Sequence, residues 1–292
     1  MTSSMESAAA SFEGDETPAS HDAPKSGRNL PVAIATGLAL AAVLILTLFW
    51  ALLPFTILVT TAILVGLAEL YHVLAKQRGL SPATSLGYAG AFILLFGTAW
   101  RGPVAISFGI VAVTLTAFLW YLVDPARERI TENIGATLFG VVYLPLLAAH
   151  VIAMAKLQHG PALTIVFMGA TVFYDVGAYA CGSFFGKHRI APSISPSKSW
   201  EGAAGGTVIV FVLALTIGRL FHGFDIASVA GLAAIVVVLA PLGDFAESLV
   251  KRDLGVKDMG GLLPGHGGML DRIDALLFTA PFAYWFLRLA TQ

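Results

Sequence analysis

Apolar residues in this chain come in repeated runs of about twenty, the length an α-helix needs to cross the hydrocarbon of a bilayer. Broken only by Gly, Pro and scattered charge, the runs suggest spans near 31–49, 52–74, 84–99, 103–123, 134–155, 162–184, 204–221, 227–243 and 274–290. Of the 292 residues 57% are hydrophobic and only 12% are charged. A soluble domain carries about 25% charge and keeps a polar outer surface, so these runs must face lipid. The chain is predicted to be an all-α polytopic integral membrane protein with about nine transmembrane helices. Eight or ten are the neighbouring counts, because only the Trp50–Pro54 region separates the first two spans and the 84–99 run is short.

Residues 1–29 are a different kind of sequence, rich in Ser and Ala and carrying Glu6, Glu13, Asp15, Glu16 and Asp22. They cannot bury a core and are predicted to form a disordered acidic tail. Lys25 and Arg28 lead directly into a long span with no cleavage site, so the tail is not read as a signal peptide. The formal net charge of −1 gives no basic field for nucleic acid. If every span crosses, the tail shares its side with thirteen of the seventeen Lys and Arg, among them Lys76, Arg78, Arg129, Lys187, Lys198, Lys251, Lys257 and Arg272. The positive-inside rule puts that side, with the N-terminus and the polar loops, in the cytoplasm of a cell-membrane protein. The single cysteine, Cys181, sits in an apolar run and reads as a packing residue.

Two C-terminal stretches, from Asp175 to Glu201 and from Asp244 to Asp274, hold most of the ionisable residues outside the tail. On a helix leaving the membrane, Asp244, Glu247, Ser248 and Lys251 fall at i, i+3, i+4 and i+7, aligning two acids, a hydroxyl and a cation on one face. An Asp near the hydrocarbon costs about 2.5–3.5 kcal/mol on insertion scales, so it is normally paired or serves a site. The blander alternative is a helix-end ion pair of Glu247 with Lys251. A glycine-rich segment, Met259-Gly-Gly-Leu-Leu-Pro-Gly-His-Gly-Gly268, follows. It could bring backbone N–H groups and His266 to a phosphate, or it could be a plain connector. Asp271 and Asp274 stand one turn apart at the start of the last span, where either could also serve as a helix cap.

If spans eight and nine are antiparallel neighbours, Asp244 and Asp271 meet at the membrane surface and need a cation between them. Oxygen ligands without a Cys or His cluster favour Mg²⁺ over zinc. His72, His150, His159 and His222 read as interfacial or helix-end residues. Asp175 should face the bundle interior. Lys187, Arg189 and Lys198 with Ser195, Ser197 and Ser199 would suit a polyanion, although positive-inside decoration with Trp200 as an interface anchor explains the cations equally well. Gly202, Gly205 and Gly206 should permit close helix packing. Glu69 reads as a near-surface acid that could line a polar cavity.

The run from Ser248 through Lys251-Arg252-Asp253 and Lys257-Asp258, continued by Pro264-Gly-His-Gly-Gly-Met-Leu-Asp-Arg-Ile-Asp274, resembles the signature of the CDP-diacylglycerol synthases, also called phosphatidate cytidylyltransferases. Asp175-x-Gly-Ala-Tyr-x-x-Gly, Phe185-Gly-Lys-His and Ser195-Pro-x-Lys-Ser-Trp-Glu-Gly are similar to that family too, so the signature region covers 175–274 of a catalytic domain spanning 30–292. Ser197 departs from it, standing where a lysine is usual. The resemblance implies that CTP and phosphatidic acid give CDP-diacylglycerol and pyrophosphate with Mg²⁺, with room for a second cation and for a homodimer. It further implies that Asp244 and Asp271 hold the metal and act with Lys251 and Arg252 in catalysis. Asp175, Ser195, Lys198, Ser248, Lys257, His266 and Arg272 would bind substrate. Rival readings are a CTP-dependent polyprenol or lipid-alcohol kinase, which would release CDP, and an ion-coupled transporter. The transporter predicts inverted repeats that the sequence does not display.

Overall fold

The computed structural model describes residues 30–123, 128–220, 226–261 and 267–290. Within them the helices are α1 (Leu30–Trp50), α2 (Leu52–Arg78), α3 (Thr84–Arg101), α4 (Val104–Leu122), α5 (Ile130–Val141), α6 (Leu147–Ala155), α7 (Gly160–Phe185), α8 (Trp200–Leu220), α9 (Ile226–Asp253) and α10 (Leu270–Ala290). A π-helical turn, Val142–Leu146, joins α5 to α6 so that Ile130–Ala155 runs as one rod. Pro145 lies in that turn. Its missing N–H would break an α-helical ladder, and the wider turn accommodates the loss.

Helices are the expected solution, because in lipid every backbone N–H must find its partner within the chain. Even the hydroxyls follow this rule: Thr56, Thr60 and Thr164 donate to the carbonyls four residues back at 2.7–2.8 Å. Large apolar side chains on α4, including Phe108, Leu115 and Phe118, are more than half exposed, an outer surface suited to acyl chains rather than water. Each anticipated apolar run coincides with a helix, the fifth with the α5–α6 rod. Among the described residues, six helical segments are long and apolar enough to cross a membrane: α2, α4, the α5–α6 rod, α7, α9 and α10. These six do not by themselves confirm the anticipated nine, while the helical membrane class stands. The acidic tail, His222 and His266 lie outside the described residues.

Two expectations need correction. An antiparallel hairpin, β1 (Arg189–Ala191) with β2 (Ser195–Ser199), occupies the stretch read only as a polar loop. His150 is neither interfacial nor at a helix end. It is buried within α6, its Nδ1 3.0 Å from the Leu146 carbonyl and its ring centroid 5.8 Å from that of Tyr284.

One end of the bundle is tied together by cations. Arg78 at the end of α2 pairs with Asp253 at the end of α9 at 2.7 Å, and Arg129 donates to the Arg78 carbonyl at 2.7 Å. Gly79, with φ 62°, ends α2 in the left-handed conformation that glycine adopts without steric cost. Arg252 Nε reaches the Ile194 carbonyl of the hairpin at 3.3 Å. At the other end Lys156 donates to the carbonyl of Ala99 at 2.6 Å.

Helices α7 and α8 approach backbone to backbone, as the glycines anticipated. A Cβ at Gly206 would lie 2.7 Å from the Tyr174 carbonyl, and one at Gly205 only 2.2 Å from Cys181 Sγ. Cys181 is therefore a packing residue. Gly205→Ala should cost about 1–3 kcal/mol through overpacking, read as a lowered Tm of the detergent-solubilised protein and partly restored by Cys181→Gly, which clears both Sγ and Cβ from that space. Gly169→Ala, where a Cβ would meet nothing within 4 Å, should leave Tm unchanged or slightly raised.

Candidate functional site

The site grows out of the last four turns of α9. Asp244, Glu247 and Lys251 share one face, as the spacing requires, but the face is turned inward: Glu247 is only 2% exposed. Lys251 Nζ stands 2.5 Å from Glu247 Oε2 and 2.7 Å from Asp271 Oδ1. The anticipated helix-end pair thus exists, yet it is buried, and its cation is shared with the first turn of α10. Asp271 spends its other oxygen on the loop, with Oδ2 accepting the backbone N–H groups of Met259 and Gly268, each at 3.0 Å. It thereby ties Met259 to Gly268 ahead of its own helix. Gly267 enters that closure at φ 81°, a conformation open to glycine. One turn on, Asp274 is 6% exposed.

The hairpin forms the opposing wall. On β2 Lys198 is half-buried and Ser197 is exposed. Lys198 forms an ion pair with Asp244. Burial pushes its ammonium below the ordinary lysine range, while the nearby carboxylates of Asp175 and Asp274 act against that. Ser195 is buried. Ser199 is buried as well, and its Oγ accepts the Gly202 N–H at 3.2 Å, capping α8. The structure therefore gathers Asp175, Lys198, Asp244, Lys251 and Asp271 in one region with Ser195 close by. Ser248 is half-buried on the same helix, whereas Arg252, Lys257 and Arg272 are exposed along the rim.

Four contributors escaped the predicted site set. Glu247 and Asp274 complete the buried acids. Tyr143 of the π-helical turn brings a buried hydroxyl without a hydrogen-bond partner, and the charges that bear on it are those of Asp274, Glu247 and Asp271. Its only sequence signal is a Tyr two residues before a Pro in an apolar span. Glu69 is the fourth. Its Oε2 accepts the Leu270 N–H at 3.1 Å across 201 positions, and its Oε1 is buried without a partner.

Among the described residues no three His, Cys, Asp or Glu side chains are gathered as a metal-holding group. The donors present are nevertheless all oxygens, and Glu247 Oε1 is buried with nothing donating to it. Such a set fits a hard divalent cation. Lys198 pairs with Asp244 and Lys251 with Asp271.

Fold and site together define a helical membrane protein with a buried carboxylate–lysine cluster at one end of its bundle, chemistry suited to phosphate groups. The chain belongs to the cytidylyltransferase family, whose model matches residues 31–290. It is 36% identical over 281 residues to a phosphatidate cytidylyltransferase of Mycobacterium leprae, covering 91% of this chain and 90% of that one. A phosphatidate cytidylyltransferase of Bacillus subtilis is 34% identical over 264 residues, covering 88% and 97%. One of Haemophilus influenzae is 47% identical over a shorter stretch of 122 residues, covering 38% and 41%.

Removing Lys251 would leave Glu247 and Asp271 buried and unpaired. Lys251→Met should destabilise the protein by about 3–5 kcal/mol, measured as a fall in Tm in detergent. Removing Glu247 at the same time, in Glu247→Leu/Lys251→Met, should recover a large part of that loss.

Proposed function

We propose that this protein transfers the cytidylyl group of CTP to phosphatidic acid, giving CDP-diacylglycerol and pyrophosphate. The observation that carries the reading is similarity to phosphatidate cytidylyltransferases along about nine-tenths of the chain. The pocket geometry supports it. In the reaction a phosphate oxygen of the lipid attacks the α-phosphorus of CTP, the α–β phosphoanhydride bond breaks, and pyrophosphate leaves. The lipid supplies the nucleophile, so the protein's task is to bring two polyanions together and to stabilise the charge that develops between them.

Lys198 and Lys251 suit that task because each is already desolvated against carboxylates. An arriving phosphate offers them a competing anion, and the Asp244 and Asp271 oxygens are released as the ammonium groups turn to it. Those two carboxylates would hold Mg²⁺, which supplies phosphate charge neutralisation when bound. Glu247 and Asp274, deeper in the pocket, keep the lysines charged and oriented. Arg252, Lys257 and Arg272 on the rim draw the triphosphate inward, with His266 in the same loop. Ser195 and Ser248 offer hydroxyls to phosphate oxygens, and Asp175 steadies Lys198 from α7. Phosphatidic acid stays in its leaflet while CTP arrives from water, so a pocket at the charged end of the bundle serves both. The Lys and Arg bias of the sequence assigns that end to the cytoplasm.

The deciding assay incubates purified protein with labelled CTP, phosphatidic acid and Mg²⁺ and identifies the products. CDP-lipid with pyrophosphate is expected, whereas phosphorylated lipid with CDP would make the protein a kinase. Asp271→Asn and Asp244→Asn should each lower turnover by about 100-fold or more while the protein still inserts and purifies. Turnover near wild type in either would remove that carboxylate from the metal.

A further inference from the structure

Helix α10 begins with an unmet need. The first N–H groups of any helix lack intrahelical partners, and Leu270, the first residue of α10, is fully buried, so water cannot serve its N–H. The acid nearest in sequence, Asp271, cannot serve it either. Its oxygens are taken by Lys251 and by the Met259 and Gly268 N–H groups. The partner is Glu69, on a helix far away in sequence. The same face of α2 carries Gly66, where a Cβ would lie 2.7 Å from Leu144 and 4.0 Å from the Leu270 Cβ, so α2 packs close against the π-helical turn and the start of α10.

Two glycines of the segment following α9, Gly260 and Gly268, lie directly over this carboxylate. A Cβ at Gly260 would fall 2.1 Å from Glu69 Oε1 and 2.4 Å from its Cδ. At Gly268 it would fall 2.8 Å from Glu69 Oε2 and 2.8 Å from Asp271 Oδ2. Gly268 is thus flanked by both acids, and these two loop positions are glycine because carboxylates occupy the space a side chain would need. Glu69 Oε1 meanwhile has no donor. A buried oxygen without a partner destabilises the fold, which is the mark of a residue kept for where it holds its neighbours.

We infer that Glu69 is a positioning residue: it pins the first turn of α10 and the glycine loop in the arrangement from which Asp271 faces Lys251. This rests on the proposed cytidylyl transfer for its kinetic consequence, though not for the contact itself. Glu69 touches neither phosphate nor metal, and acts through the backbone that carries Asp271.

The test uses the full chain in lipid nanodiscs. Glu69→Ala should purify as a folded protein, and its kcat should fall and its half-saturating Mg²⁺ concentration rise, each by about 10–100-fold, as when a ligand's supporting shell is lost. KM for CTP should stay within about twofold, because the rim cations are untouched. Glu69→Gln keeps an oxygen for the Leu270 N–H and should recover most of both losses. Gly260→Ala should resemble Glu69→Ala, and the double variant should be no worse than either single one, since both disturb the same contact. Amide hydrogen exchange, read without substrate, should accelerate at Met259, Gly268 and Leu270 in Glu69→Ala.

Unchanged kcat and Mg²⁺ dependence in Glu69→Ala would overturn the inference, as would additive losses in the double variant or unchanged exchange at those three amides. Equal damage from Gln and Ala would overturn it too, since charge and not placement would then be what the site requires. A wild-type protein that forms no CDP-lipid would sink the reaction instead, and the exchange measurement would still judge the contact.

Discussion

Lys251 stands between two carboxylates in a region from which water is largely excluded, with Glu247 on its own helix and Asp271 on the next. Removing charges from water is expensive, and their mutual attraction recovers that cost only when the geometry is good. Such an arrangement contributes little net stability, yet breaking one member of it is costly. Its value lies in orientation. The shared ammonium clamps α9 to α10, and Lys198 applies the same logic from the hairpin by pairing with Asp244. The charges of the pocket are therefore held in place before any phosphate arrives, which is the condition under which electrostatic stabilisation is most effective.

The surrounding architecture serves this clamp. Close packing at Gly205 and Gly206 sets α8 against α7 and so places the hairpin that precedes α8 over the end of α9. Arg252 then fastens the hairpin to α9 through the Ile194 carbonyl. Arg78 and Arg129 bring the ends of α2 and α5 to the same region. The π-helical turn, forced by Pro145, delivers Tyr143 to the buried acids. On the cytidylyl-transfer reading, the lysines exchange one set of anions for another as substrates enter. A pocket with its charges already paired can then remain folded when empty.

Much of this was legible in the chain. Runs of about twenty apolar residues dictate membrane helices, because only internally hydrogen-bonded backbone survives in lipid. The helical period put Asp244, Glu247 and Lys251 on one face, and the motif from Ser248 to Asp274 pointed to the family that the comparison with relatives established. The small residues of α8 foretold its tight approach to α7. Local spacing was enough in each case, since every partner lay within a turn or within one continuous motif. By contrast, the sequence could not decide which way a charged face would turn. Glu247 had a helix-end pair with Lys251 as its blander reading, and His150 read as an interfacial or helix-end residue, but the packing of α9 and α6 buries both. The hairpin was missed because Ser, Pro and Lys favour no strand of their own.

Glu69 and Tyr143 belong to another category. Neither has a neighbour in the sequence that explains it, and their significance arises from contacts across the bundle, 201 positions apart in the case of Glu69 and Leu270. The sequence by itself determined that this protein is a helical membrane enzyme of the cytidylyltransferase family, and it offered C-terminal candidates for the site. Only the tertiary structure decided how those charges are paired, which of them are buried, and that a carboxylate from α2 underlies the glycine loop. Hydrophobic length and helical period are local properties that a chain carries in its order, whereas desolvation and ion pairing depend on what other helices bring into the same few ångströms.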